Sequence, residues 1–160
     1  MSHRRVRDHL VLAGLCACAV MVLTGCPKKG PHYPEDHARF ERIAEAVDAL
    51  HQAYISHDLE TTRGLLLPLE TLEAWEQKVQ RDFQTYSDIA LDLTIERILI
   101  KGDLISVFVT WQGEWKRTPE DKGMTARGHG ILHWSGTHVI LLSAVEGDLP
   151  FGMADRQAIS

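Results

Sequence analysis

At Ser87-Asp88 the hydrophobic pattern of this 160-residue chain changes its period, and that change decides which layers it can build. From Glu35 to His57 the apolar residues Phe40, Ile43, Val47, Leu50 and Tyr54 recur at alternating spacings of three and four, the stripe of one long amphipathic helix. Asp58 then serves as N-cap of a short helix through Leu66, which Pro68 stops. A third helix is expected from about Leu69 to Tyr86, with Leu72, Trp75, Val79, Phe83 and Tyr86 on one face. Beyond Ser87-Asp88, Ile89, Leu91, Leu93 and Ile95 alternate with Ala90, Asp92, Thr94 and Glu96, the period of a strand. The phase slips at Glu96-Arg97 before Ile98 and Ile100 resume it, as a bulge produces. Gly102-Asp103 makes a turn, and strands over Leu104–Lys116, Thr125–Trp134 and Thr137–Val145 complete a meander. Helices first and an antiparallel meander afterwards give an α+β fold with the helices on one face of the sheet.

A two-residue turn at Ser135-Gly136 pairs Trp134 with Thr137, His133 with His138 and Gly128 with Ser143. A longer loop pairing Lys116 with Thr125 sets Glu114 opposite Arg127 and Trp111 opposite Gly130. In that register one face carries Ile105, Val107, Val109, Trp111, Trp115, Leu132, Trp134, Val139, Leu141 and Val145, apolar enough to receive the helices. Gly128 and Gly130 on that face leave room for Trp111, so Trp111 and Trp134 beside the two glycines, with Tyr54, mark the candidate pocket for an apolar small ligand. The other face is polar at one end, while Phe108, Ile131, Ile140 and Leu142 form an apolar strip at the other. That strip is the candidate interface for a homodimer or an envelope protein partner, with the C-terminal segment as the alternative cover. Asp148–Met153 reads as extended because of Pro150, with Phe151 set to dock on the rim.

The N-terminus has an address. Arg4, Arg5 and Arg7 precede an apolar run from Leu10 to Val22, too short for the roughly 20 residues of a spanning helix, and Leu23-Thr24-Gly25-Cys26 closes it. That tetrapeptide resembles the lipobox of bacterial lipoproteins. The resemblance implies cleavage between Gly25 and Cys26, a diacylglycerol and palmitate-type acyl anchor on Cys26, and a place on the periplasm-facing side of the inner or outer membrane. The chain then divides into a signal peptide (1–25), a lipidated cysteine and tether (26–34), a domain (35–146) and a tail (147–160). Cys16 and Cys18 leave with the signal, so the mature domain has no thiol to pair and rests on its core. Removing Arg4, Arg5, Arg7 and Asp8 from the 17 basic and 22 acidic residues leaves 14 against 21, a formal charge of −7 that excludes nucleic acid as a natural partner.

The stretch Tyr54-Ile55-Ser56-His57-Asp58-Leu59-Glu60 after the long helix, the two further helices, and the meander with Gly128 before the Ser135-Gly136 hairpin resemble the nuclear transport factor 2-like, or SnoaL-like, superfamily over about Glu35 to Val145. The resemblance implies helices packed on a strongly curved sheet, a cone-shaped, cystatin-like half barrel whose open end is a pocket. It also implies a choice among ketosteroid isomerase-like enzymes, cyclases, dimerisation modules and noncatalytic binding domains. An isomerase needs a carboxylate base and an acid in a dry cavity, for which Tyr54, Asp88, Asp92 and Glu96 are the candidates. Alternation turns Asp92 and Glu96 away from the apolar side, and Asp88 suits a turn. His133 opposite His138 lacks a third metal ligand, so no metal site is expected, and nothing in the sequence calls for a cofactor. The expectation is noncatalytic binding of an apolar small molecule or a partner protein by a lipid-anchored domain, with a cofactor-free isomerase or a structural dimer as the alternatives.

Overall fold

The computed structural model describes residues 34–158; the expected signal peptide, Cys26 and the linker through residue 33 lie outside them. Helix α1 (Pro34–Ile55) buries Ile43, Val47, Leu50 and Tyr54, the stripe expected of it apart from Phe40. His57 adopts φ 59°, and Asp58 caps α2 (Leu59–Gly64) by accepting from Thr61 N at 2.9 Å. Helix α3 (Glu70–Thr85) buries Leu72, Trp75 and Val79.

The sheet is a meander of β1 (Asp88–Lys101), β2 (Leu104–Lys116), β3 (Met124–Ser135) and β4 (Leu141–Gly147), and a last helix, α4 (Met153–Ala158), follows it. The bulge falls where the phase slip is: Ile95 faces Val109 and Arg97 faces Phe108, leaving Glu96 unpaired. One face of the curled sheet presents Ile105, Val107, Val109, Trp111, Trp115, Leu132 and Trp134 to the helices, and all are buried. The free edge of β4 is covered by the segment after α2, where Leu67 N donates to Leu142 O and Leu142 N to Leu65 O.

Two registers differ from expectation. In the β2–β3 hairpin the pairing is displaced by two residues, so Trp111 faces Gly128, Val109 faces Gly130 and Arg127 faces Gln112. Side-chain faces survive a shift of two, but the expected Glu114–Arg127 pair does not form, and Glu114 pairs with Lys116 instead. The β3–β4 connection is a five-residue loop over 136–140, not a two-residue turn: Ser135 pairs with Leu141 and Trp134 with Leu142, followed by a bulge. Helix α1 sets this loop, since Arg39 Nη2 donates to Gly136 O at 2.8 Å and Arg42 Nε to Thr137 O at 3.0 Å. The partner of Trp134 moves from Thr137 to Leu142, and this odd displacement of five residues inverts the faces at the start of β4, turning Ile140 and Leu142 into the core and Val139 into solvent.

Gly136 is required by this loop: its φ is +120°, and a Cβ there would lie 1.9 Å from Val139 O. Gly136→Ala is expected to lower stability by about 2 kcal/mol or more in urea unfolding, with an unchanged m-value. A wild-type midpoint would contradict the five-residue loop.

Candidate functional site

Chemistry in the core concentrates where α1, α3 and β2 converge. The α1 stripe carries Tyr54 inward, and on α3 the spacing Leu72, Trp75, Val79, Asp82, Tyr86 runs three, four, three, four, so Asp82 occupies an apolar position of the helix and is fully buried. The Tyr54 hydroxyl lies 2.7 Å from Asp82 Oδ2 and 2.9 Å from Pro150 O, and it accepts from Trp115 Nε1 at 3.0 Å. Asp82 Oδ2 also accepts from Gly152 N at 2.6 Å and Oδ1 from Ala154 N at 2.7 Å. Burial raises the Asp82 carboxyl above its ordinary value, against the hydrogen bonds from Ala154, Tyr54 and Gly152 that favour the ionised form. Burial, and then the neighbouring Asp82 charge, raise the Tyr54 hydroxyl well above 10.

Both amides come from a strap, residues 148–158, that closes over the cone. Its own Leu149, Phe151 and Met153 are buried in the core. The Phe151 ring meets Tyr54 and Trp75 edge-on, with centroids 4.9 and 5.0 Å away. Trp111 Nε1 donates to Asp148 O at 2.7 Å, and Arg81 grips both oxygens of Asp155 at 2.6 Å. The strap also buries its own polar backbone, for Arg156 Nη2 donates to Leu149 O at 2.5 Å.

The expected pocket residues are only partly brought together: Trp111 faces Gly128 and borders with it an open groove of about 530 Å³ that Asp92 and His129 also line, whereas Trp134 sits six residues further along β3, opposite Ile105. A Cβ on Gly128 would fall 2.5 Å from Asp148 Oδ2 and 2.9 Å from Trp111 Cζ2, and one on Gly130 would fall 2.7 Å from Leu149. The two glycines are seats for Trp111 and the strap. Trp134 is fully buried, with Nε1 unpartnered.

The expected carboxylates lie elsewhere. Asp88, Asp92 and Glu96 are exposed on β1; Asp92 accepts from Gln112 Nε2 at 3.2 Å and Glu96 from Thr110 Oγ1 at 2.8 Å. Tyr54 therefore pairs with Asp82, which the amphipathic reading of α3 passed over in favour of Phe83. The three-four spacing admits either position, and the partners that distinguish Asp82 come from the strap and α1.

The expected apolar strip is halved. Phe108 and Ile131 face each other on the outer face, half-buried, with the Arg97 guanidinium 4.2 Å from the Phe108 ring centre, whereas Ile140 and Leu142 belong to the core because of the β3–β4 loop. His133 bonds Ser106 Oγ through Nδ1 at 3.2 Å and Glu146 through Nε2 at 3.1 Å, while His138 lies in the exposed loop rather than opposite it. Among the described residues, no group of three or more His, Cys, Asp or Glu is arranged to hold a metal.

No family model matches the sequence, and no curated protein sequence matches it. Solved structures do match. A nuclear transport factor 2-like superfamily protein from Salmonella enterica superposes with a TM-score of 0.62 at 11% identity, over 72% of this chain and 93% of that one. A nuclear transport factor 2-like family protein from Streptomyces avermitilis superposes with 0.59 at 17%, over 71% and 99%. A conserved protein from Planctomyces limnophilus gives 0.58 at 15%, over 68% and 97%. These likenesses show a fold: helices on a curled four-stranded antiparallel sheet, the nuclear transport factor 2-like cone.

Because the folded hydroxyl of Tyr54 titrates above that of the unfolded chain, its contribution to stability is complete below pH 10 and is lost as pH rises above that value. Tyrosine absorbance is expected to show Tyr54 ionising only together with unfolding, and Tyr54→Phe should flatten the alkaline loss while costing roughly 1–3 kcal/mol at neutral pH. Ionisation of Tyr54 near pH 10 in the folded protein would contradict the sealed network.

Proposed function

We propose that this is a lipid-anchored lipoprotein of the bacterial envelope whose domain works by noncovalent binding of a protein on its outer face, not by turnover inside the cone. The observation that carries the reading is the strap. A base in a cone must reach a substrate, and the buried Tyr54–Asp82 pair accepts from Trp115, Gly152 and Ala154, with the Tyr54 hydroxyl also within reach of Pro150 O, beneath Phe151. In this reading the strap, rather than a ligand, engages the polar atoms of that pair.

The outer face is open by contrast. A groove of about 500 Å³ is lined by Phe108 and Ile131 together with Glu96, Arg97, His129 and Glu146. An apolar pair between charges of both signs suits a protein segment with one apolar anchor and flanking charges, or the same face of a second copy. The anchor half of the proposal is supported by the tetrapeptide ending at Cys26 and the charged and apolar segment before it. No described helix is long and apolar enough to cross a membrane, so attachment in this reading falls to the acyl chains.

Native mass spectrometry of the protein extracted from its own envelope, with labelled palmitate supplied during growth, tests both halves. Palmitate should enter the wild type and not Cys26→Ser. The extracted protein should carry a second copy or another protein, and Phe108→Asp should lower that occupancy by about tenfold while leaving the circular dichroism spectrum unchanged. A monomer retaining one equivalent of an apolar small molecule would contradict outer-face binding.

A further inference from the structure

Five large apolar side chains are exposed among the described residues, and four of them come from segments that meet at one end of the domain: Phe40 (42% exposed), Leu99 (48%), Leu104 (64%) and Val139 (68%). Leu69, which precedes α3, is the fifth. Hydrogen bonds fasten these segments together. Arg39 Nη2, beside Phe40, donates to Gly102 O and Gly136 O at 2.8 Å each; Arg42 Nε donates to Thr137 O; and Gly136 N donates to Asp103 O at 3.0 Å. The early turns of α1, the β1–β2 turn and the 136–140 loop are thus tied together at one end, with Leu104 opening β2 just after the turn and Val139 in the loop. Isolated exposed leucines are ordinary, but four on segments tied by two arginines are a surface.

The same end receives the chain from the N-terminus, since α1 begins at Pro34. From Pro27 to Pro34 the chain spans at most about 26 Å, so an anchor at Cys26 holds this end nearest the bilayer. We infer that Phe40, Leu99, Leu104 and Val139 form a membrane-contacting end that dips its apolar tips among the lipid head groups and orients the domain upright on its tether. This inference rests on the lipid-anchor reading. The mature charge of −7 gives no attraction to anionic lipid, so the contact is apolar and insensitive to salt. Held this way, the opposite end of the sheet, where Asp88 faces Lys116, points into the periplasm.

The test uses the full lipidated chain in vesicles of phosphatidylethanolamine and phosphatidylcholine. The lipoprotein reading leaves no other free thiol in the mature chain, so Leu104→Cys, Val139→Cys and, at the opposite end, Ser87→Cys each accept one fluorophore. Quenching by lipids carrying a nitroxide near the head group should be at least about threefold stronger at positions 104 and 139 than at 87, and unchanged in about 0.5 M salt. Adding Leu104→Asp should cut the quenching at 139 by about threefold or more, with lipidation intact. Equal quenching at all three positions with palmitate still on Cys26 would overturn the membrane-contacting end and leave the anchor standing. Absence of palmitate from Cys26 would overturn both. Disulfide-linked dimers of Leu104→Cys without quenching would assign this end to a second copy and overturn the inference as well.

Discussion

The carboxylate of Asp82 sits in a place where a charge is costly, and three other parts of the chain, α1, β2 and the strap, are arranged around it. Desolvating a carboxylate costs several kcal/mol, and only hydrogen bonds to both oxygens offset that cost. Here they come from the α1 tyrosine and from two amides of the strap, while Trp115 on β2 donates to the tyrosine and completes the set. The dependence is mutual. Without Asp82 the amides of Gly152 and Ala154 are buried donors with no acceptor, and without the strap Asp82 loses the partners that make its burial tolerable.

Phe151 lies across Tyr54 and Trp75, Leu149 against Gly130, and Trp111 against Gly128, so the strap and the sheet are closely packed where they meet. A tyrosine hydrogen-bonded to a buried carboxylate has the constitution of an acid–base pair, but chemistry needs an approach path as well as a pair. The proposed reading therefore puts recognition on the outside of the sheet, where Phe108 and Ile131 are left half-covered between charges.

Much of this architecture could be read from spacing. The three-four stripe of α1, the Asp58 cap, the alternation of β1 and even its bulge at Glu96 are local events, decided by neighbours a few residues away, and each is found where the pattern puts it. The β3–β4 connection is not local. Ser135-Gly136 has the residues of a tight turn, but Arg39 and Arg42, almost a hundred positions earlier, hold the carbonyls of Gly136 and Thr137 and lengthen the loop. Asp82 escaped notice for a different reason: the apolar stripe of α3 can be drawn through Phe83 or through position 82, and an aspartate argues against itself. Only the strap amides, contributed from about seventy residues downstream, make a carboxylate acceptable there.

Amide hydrogen exchange at Gly152 and Ala154 tests the sealed cone most directly. If the strap is a structural part of the core, these two amides exchange only through global unfolding, with the same opening free energy and denaturant dependence as Leu132 at the centre of β3. If instead they exchange through a local, denaturant-insensitive opening while Leu132 stays protected, the strap is a door, the Tyr54–Asp82 pair becomes accessible, and the account of a domain that works only from its outer face is wrong.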